Sequence, residues 1–182
     1  MNRISAAIVG CIALFALQAN AQELTVYAGY LNPGSLNLQT IREDLDFRGT
    51  SIFGVRFGVD FARVIGIEQD FAFSSRLFES TLIPGDDDVR GFLYSSNLVV
   101  NLPLDRFVPY ATAGVGLMKP FGSGFKPFDV KFAGNYGGGI KFKRLIGPLG
   151  LRFDVRGYSI PGIASQTLNL VEVSGGIMFS SR

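Results

Sequence analysis

Residues 149–158, with the sequence LGLRFDVRGY, decide the fold. Their side chains alternate between apolar and charged, with Leu149, Leu151, Phe153 and Val155 on one face and Arg152, Asp154 and Arg156 on the other. A period of two is typical of a β-strand and not of a helix. One face of this strand therefore meets a polar space, while the other meets lipid or a second packed sheet.

Seven further segments repeat this alternation and predict seven more strands. They cover residues 24–30, 50–60, 64–74, 89–102, 108–118, 130–143 and 168–180. Gln69 is the exception to the pattern, because it falls on the apolar face of its strand. The total is eight strands, an even number that suits a closed antiparallel barrel.

The connections between these strands alternate in length. Short connections are predicted at residues 61–63, 103–107 and 144–148. Longer ones are predicted at residues 31–49, 75–88, 119–129 and 159–167. Bacterial outer-membrane barrels place short turns in the periplasm and long loops outside the cell. The sequence therefore predicts an all-β fold, an eight-stranded antiparallel up-and-down transmembrane β-barrel with extracellular long loops.

The start of the chain predicts export. Arg3 precedes an apolar run over residues 4–17, and the tripeptide Ala19-Asn20-Ala21 has the A-x-A pattern of a cleavage site. The run is shorter than the roughly 20 apolar residues that a membrane-spanning helix needs. We expect residues 1–21 to be a cleavable signal peptide and residues 22–182 to form one barrel domain.

Cys11 is the only cysteine of the chain and leaves with the predicted signal peptide, so no disulfide is expected. The alternative is a lipoprotein cleavage box ending at Cys11, but the apolar run continues past it to Leu17, which favours cleavage after Ala21. The chain has 17 basic and 15 acidic residues, and loss of Arg3 leaves a formal charge of +1. This balance gives no reason to expect a nucleic-acid partner.

The apolar faces carry more large side chains than the lumen of an eight-stranded barrel holds. We therefore place these faces outward, against lipid. The opposite faces, rich in Gly, Ala, Ser and charge, then line a narrow polar lumen. A soluble, secreted, lipocalin-like binding barrel would reverse this arrangement and is kept as an alternative.

Charged side chains on the predicted inner faces form the candidate site. They are Arg56, Asp60, Glu68, Asp70, Lys141, Lys143, Arg152, Asp154, Arg156 and Glu172. A lone charge in a narrow, dry lumen is very costly, whereas paired and hydrogen-bonded charges are tolerated. The near balance of signs predicts an ion-pair network that plugs the barrel. The alternative is an ion pathway built from the same residues.

No motif predicts an enzyme, a metal site or a cofactor. The chain has no histidine, the commonest general base at neutral pH. Gly114-x-Gly116 and residues 137–139 lie inside predicted strands and lack the residues of a phosphate-binding loop. Residues 86–88, three aspartates, lack the ligand spacing of a calcium site and are expected to be a solvated loop tip.

With its strands in this order, the chain resembles the eight-stranded outer-membrane barrel family typified by the OmpA transmembrane domain and OmpX. The residues that carry the resemblance are 108–117, VPYATAGVGL, on the fifth strand and 137–142, GGGIKF, on the sixth. The family usually ends in an aromatic residue that the insertion machinery recognises, whereas here Ser180, Ser181 and Arg182 follow Phe179. The chain has no Trp, so an interfacial girdle has to come from its 6 Tyr and some of its 17 Phe.

The resemblance implies a location in the outer membrane of a Gram-negative bacterium and a structural or surface-interaction role. The implied partners are outer-membrane lipid and lipopolysaccharide, the barrel-assembly machinery during insertion, and a host or surface ligand at the loops. A small pore or channel for ions or small solutes is the alternative function.

Overall fold

Eight antiparallel β-strands form a closed barrel in this computed structural model, which describes residues 23–33, 49–61, 64–78, 89–121, 130–163 and 166–181. The strands are β1 (Glu23–Pro33), β2 (Thr50–Asp60), β3 (Ile65–Phe78), β4 (Val89–Asn101), β5 (Phe107–Phe121), β6 (Lys131–Ile146), β7 (Leu149–Ile163) and β8 (Gln166–Ser180). Each strand pairs with its neighbours in sequence, and β1 pairs with β8 to close the barrel. The predicted eight-stranded up-and-down barrel is confirmed.

Burial alternates along the strands as the sequence pattern predicts. In β7 the side chains of Phe153 and Val155 are exposed on the outer surface, and those of Arg152 and Arg156 are buried in the lumen. The apolar residues therefore face outward and the charged residues inward. This is the reverse of a soluble barrel, and it argues against the lipocalin-like alternative.

The connection between β7 and β8 is not the long loop predicted for residues 159–167, and this prediction is wrong. The two strands remain paired to the register pair Ile163–Gln166. Pro161 lies within this paired segment, where β7 no longer pairs with β6, because that pairing extends only as far as Ser159. The missing amide hydrogen of Pro161 therefore falls where β7 has a partner on one side, which a sheet tolerates.

The predicted turn at residues 144–148 is shorter in the structure. Strand β6 continues to Ile146 beyond an irregularity in register that begins after Phe142, so Gly147 and Pro148 alone separate β6 from β7. Gly147 has a φ of 59°, a left-handed conformation that glycine adopts readily. The predicted long connections at 31–49, 75–88 and 119–129 fall mostly outside the described residues, as do residues 86–88.

An apolar ring lies inside the barrel at the end where the strands enter the long connections. Each strand contributes one buried residue to it: Leu31, Ile52, Ala72, Leu93, Met118, Ala133, Ile160 and Leu170. We call this set the apolar ring. The inner faces were predicted to carry small and charged residues, and at this end of the barrel that prediction is wrong, because six of the eight residues of the ring have large aliphatic side chains.

Gln69 points outward, as the strand parity requires, yet only 7% of it is exposed. The Tyr94 hydroxyl donates to its Oε1 at 2.7 Å, and its Nε2 donates to the Ser96 Oγ at 3.0 Å. Its register neighbours include Phe57, and the Phe71 ring contacts the Phe57 ring edge-on and the Tyr94 ring at a tilt. The polar exception on the lipid-facing surface is thus hydrogen-bonded beneath aromatic rings. Over the described residues no helix is long and apolar enough to cross a membrane.

Candidate functional site

All ten charged residues predicted for the inner faces lie on the lumen side of their strands, and they form two clusters. The larger one, which we call the central cluster, combines residues of β2, β3, β7 and β8. It consists of Arg56, Glu68, Asp70, Arg152, Asp154, Arg156 and Glu172. Each of these side chains is at most 3% exposed. At this burial, the partners of each charge decide whether it is tolerated.

Asp154 is the hub of the central cluster. Its carboxylate is 2.7 Å from Arg56 Nη1, 3.1 Å from Arg152 Nε and 3.1 Å from Arg156 Nη2. It also accepts a hydrogen bond from the Tyr110 hydroxyl. The alternation of β7 explains the position, because Asp154 lies between two inward-facing arginines of the same strand.

Other ion pairs of the central cluster cross the lumen. Glu68 on β3 is paired with Arg152 (2.5 Å) and Arg156 (2.6 Å) on β7. In a closed barrel of eight strands, β3 and β7 lie on opposite walls. Arg56 also pairs with Asp70 (3.0 Å) and, two strands away, with Glu172 (2.6 Å). The side chains of facing walls therefore meet across the lumen.

Three tyrosines that were not among the predicted site residues complete the central cluster. Tyr27, Tyr110 and Tyr158 donate to Asp70, Asp154 and Glu172, respectively. At formal charge the cluster holds four carboxylates against three arginines, and the hydroxyls stabilise the surplus negative charge. The sequence predicted that the tyrosines contribute to the interfacial girdle. For these three residues that prediction is wrong, because they are buried in the lumen. The sequence did hold a signal for Tyr158, because strand parity places it on the same face as Arg156.

The second cluster lies at the turn end of the lumen, and we call it the turn-end cluster. Lys141 Nζ is 2.5 Å from Glu23 Oε2, and Lys143 is paired with the other oxygen of Glu23. Lys143 also approaches Asp60 to 3.5 Å, from the opposite wall of the barrel. Asp60 accepts a further hydrogen bond from the Asn101 amide at 3.0 Å. Glu23 was missing from the predicted set because its strand was predicted to begin at residue 24.

Two glycines of β6 make room for the central cluster. A Cβ atom on Gly139 would lie 2.7 Å from the Tyr110 hydroxyl, and one on Gly137 would lie 3.1 Å from Arg156 Cγ. Both glycines have the inward parity of Lys141. At these two positions the space that a Cβ atom would take is occupied by the Tyr110 side chain, the aliphatic part of Arg156 and the backbone of β7.

The chemistry of the central cluster is that of mutual neutralisation. Each of its carboxylates has an arginine within 3.3 Å, and three of them also bind a tyrosine hydroxyl. Paired in this way, the acids are not presented to a substrate. Among the described residues, no group of three His, Cys, Asp or Glu side chains is placed to hold a metal ion.

The fold and this polar interior agree with a comparison against protein families. The family model described as outer membrane protein beta-barrel domain matches residues 7–172. The chain belongs to this outer-membrane barrel family. Its location is accordingly the outer membrane of a Gram-negative bacterium. No curated protein sequence matches the chain.

Three solved structures show how widely this fold is used. Neisserial surface protein A is similar with a TM-score of 0.67 and 12% identity, over 87% of this chain and 96% of that one. The attachment invasion locus protein Ail of Yersinia pestis, in complex with the heparin analogue sucrose octasulfate, has a TM-score of 0.51 and 17% identity, over 86% and 98%. The outer membrane enzyme PagL has a TM-score of 0.52 and 12% identity, over 86% and 98%. At these identities the likeness concerns the fold alone.

Proposed function

We propose that this protein is a closed outer-membrane barrel with a structural or surface-interaction role, plugged by the ion pairs of its lumen. The observation that carries the proposal is the pairing of Glu68 on β3 with Arg152 and Arg156 on the opposite wall. The turn-end cluster repeats such a crossing between Lys143 and Asp60. The apolar ring adds a largely apolar layer at the other end. An ion would have to pass all three layers.

The proposal includes export and orientation. We infer that residues 1–21 are removed as a signal peptide and that residues 22–182 form the inserted domain. The connections between β1 and β2 and between β3 and β4 then lie outside the cell, and Gly147 and Pro148 in the periplasm. Protease added to intact cells should cut within residues 31–49 and 75–88 but should spare Arg106 in a short turn. Cleavage only at the short turns would require the opposite orientation.

The partners follow from this placement. Outer-membrane lipid and lipopolysaccharide surround the apolar outer face, and the barrel-assembly machinery inserts the chain. A host or surface ligand binds at the loops. This last point is supported by the range of uses of the fold, which includes the complex of Ail with a heparin analogue. Nothing in the charge balance of the chain favours a nucleic acid.

The proposal also includes the absence of enzymatic activity. PagL shows that the fold can carry an enzyme, so the fold does not decide the point. Two features of this chain support a non-enzymatic role. It has no histidine, and the carboxylates of the central cluster, which could act as bases in its place, are neutralised by arginines.

Conductance across a planar lipid bilayer tests the plugged lumen. The protein refolded into the bilayer should show no discrete channel openings. Arg56→Gln, which removes one guanidinium that pairs with three carboxylates, should increase leakage if the variant folds. Retained heat-modifiable migration on a gel is the control for folding. Channel openings of the parent protein would contradict the plugged lumen and support the alternative function as a pore.

One observation favours that pore alternative. The side-chain amide of Asn135 is buried in the lumen, and neither its Nδ2 nor its Oδ1 has a hydrogen-bond partner among the described residues. Buried amides of this kind are usually satisfied by ordered water. Water beside Asn135 would hydrate part of the lumen, but it would still have to cross the central cluster to form a conducting path. The conductance measurement decides between these outcomes.

A further inference from the structure

The described outer face of the barrel carries a pair of basic side chains at one end. At the end of the long connections, Arg90 on β4 and Lys119 on β5 point outward, and the described part of this end shows no acidic side chain on the outer face. Below them the outward positions are apolar or uncharged down to Arg144, which lies in the irregular segment of β6 at the turn end and is 3.9 Å from Asp105.

The pairing of β4 with β5 brings the two basic residues together. Arg90 is the register partner of Phe121, and Phe92 is the register partner of Lys119. Arg90 and Lys119 are therefore diagonal neighbours on one face of the sheet. Phe92 and Phe121 are exposed beside them, and Lys119 Nζ lies 5.1 Å from the Phe121 ring. We call these four residues the rim patch. Lys131 at the same end of β6 has the inward parity and does not belong to it.

The height of the rim patch corresponds to the membrane surface. Arg90 precedes Asn101, the last residue of β4, by 11 positions. At a rise of about 3.3 Å per residue and a tilt of about 40°, this places Arg90 about 28 Å above the turn end of the strand. The apolar band of such barrels is about 25 Å tall. The patch therefore lies at the outer interface, where lipid head groups begin.

From this placement we infer that the rim patch binds the phosphorylated head group of an outer-leaflet lipid. Two cations within reach of one another match the charge of a phosphate monoester, and the two phenylalanines contact the first part of the acyl region. An arginine can bind two phosphate oxygens at once, while the lysine adds a point charge. No acidic side chain of the described outer face lies near Arg90 and Lys119, so their positive charge has no partner on that face. The inference rests on the proposed orientation, with the long connections outside the cell.

Binding of diphosphorylated lipid A to the refolded full-length barrel in neutral detergent tests the inference. Arg90→Gln with Lys119→Gln should weaken binding about thirtyfold, since a basic residue near an anionic membrane surface contributes about a factor of five. The matched control is Arg106→Gln with Arg144→Gln, which removes the same charge at the turn end. That control should change the affinity less than twofold.

Two further probes separate the sources of the phosphate. Dephosphorylated lipid A should bind the parent protein no better than diphosphorylated lipid A binds the rim variant. Inorganic phosphate at millimolar concentration should not compete, because it lacks the acyl chains that contact Phe92 and Phe121. Equal affinity of parent and rim variant, an equal loss in the turn-end control, or full competition by inorganic phosphate would each overturn the inference. Conductance does not enter this test, so the plugged lumen can fail independently.

Discussion

The two faces of β7 show opposite environments one residue apart. Val155 is 55% exposed on the outer face, whereas Asp154 and Arg156 on either side of it are 3% and 0% exposed in the lumen. On the outer face each side chain contacts lipid, so one apolar residue can replace another at little cost. In the lumen each charge depends on particular partners. The outer face is therefore specified by polarity, and the lumen by pairing.

The largest expected effect comes from removing a cation from the central cluster. Arg56→Gln leaves Asp70, Asp154 and Glu172 without the guanidinium that each contacts within 3.0 Å. At formal charge, four carboxylates then face two arginines. We expect the free energy of unfolding to fall by about 3–5 kcal/mol, as for other broken buried ion pairs. Urea titration of the barrel in lipid vesicles, followed by gel migration, measures the change.

The matched variant Asp154→Asn should lower the free energy of unfolding by less than Arg56→Gln does, even though Asp154 contacts all three arginines. Asp154→Asn leaves three carboxylates with three arginines, so the formal charges balance. We expect a loss of about 1–3 kcal/mol from the weaker hydrogen bonds. An equal loss in both variants would show that contact number, and not the balance of charge, governs the stability of the central cluster.

A charge placed on the outer face tests the other side of the comparison. Val155→Arg puts a guanidinium into the apolar band and should lower the free energy of unfolding by about 2–4 kcal/mol. Val155→Leu is the control and should change it by less than about 1.5 kcal/mol. If the barrel accepts Val155→Arg as readily as Val155→Leu in the same urea titration, then this face does not meet lipid.

Strand number and face could be predicted because both depend on a local period of two. The bounds of β2 match the prediction, and every charged residue assigned to the lumen has the inward parity. The number of large apolar side chains, more than a narrow lumen holds, then indicated which face points outward. These features can be predicted without knowing which residues contact one another, because they depend only on the polarity of each residue.

Features that depend on non-neighbouring residues could not be predicted in this way. Tyr110 looks like an interfacial aromatic in sequence, but in the lumen it lies beside Asp154 and Arg152, contributed by β7. The apolar ring takes one residue from each strand, so no single segment reveals it. The continuation of β7 through Pro161 could not be predicted either, because the position of Pro161 beyond the last pairing of β7 with β6 is a property of the closed barrel.

The smallest expected effect concerns Gln69, the polar residue on the outer face. Gln69→Leu removes the acceptor of the Tyr94 hydroxyl and the donor to Ser96, so it should cost about 1 kcal/mol in the urea titration. Adding Ser96→Ala and Tyr94→Phe removes both hydroxyls that lost this partner and should restore most of the stability. If the triple variant stays as unstable as Gln69→Leu, the loss comes instead from packing against Phe57 and Phe71. In that case shape also matters on the lipid-facing side.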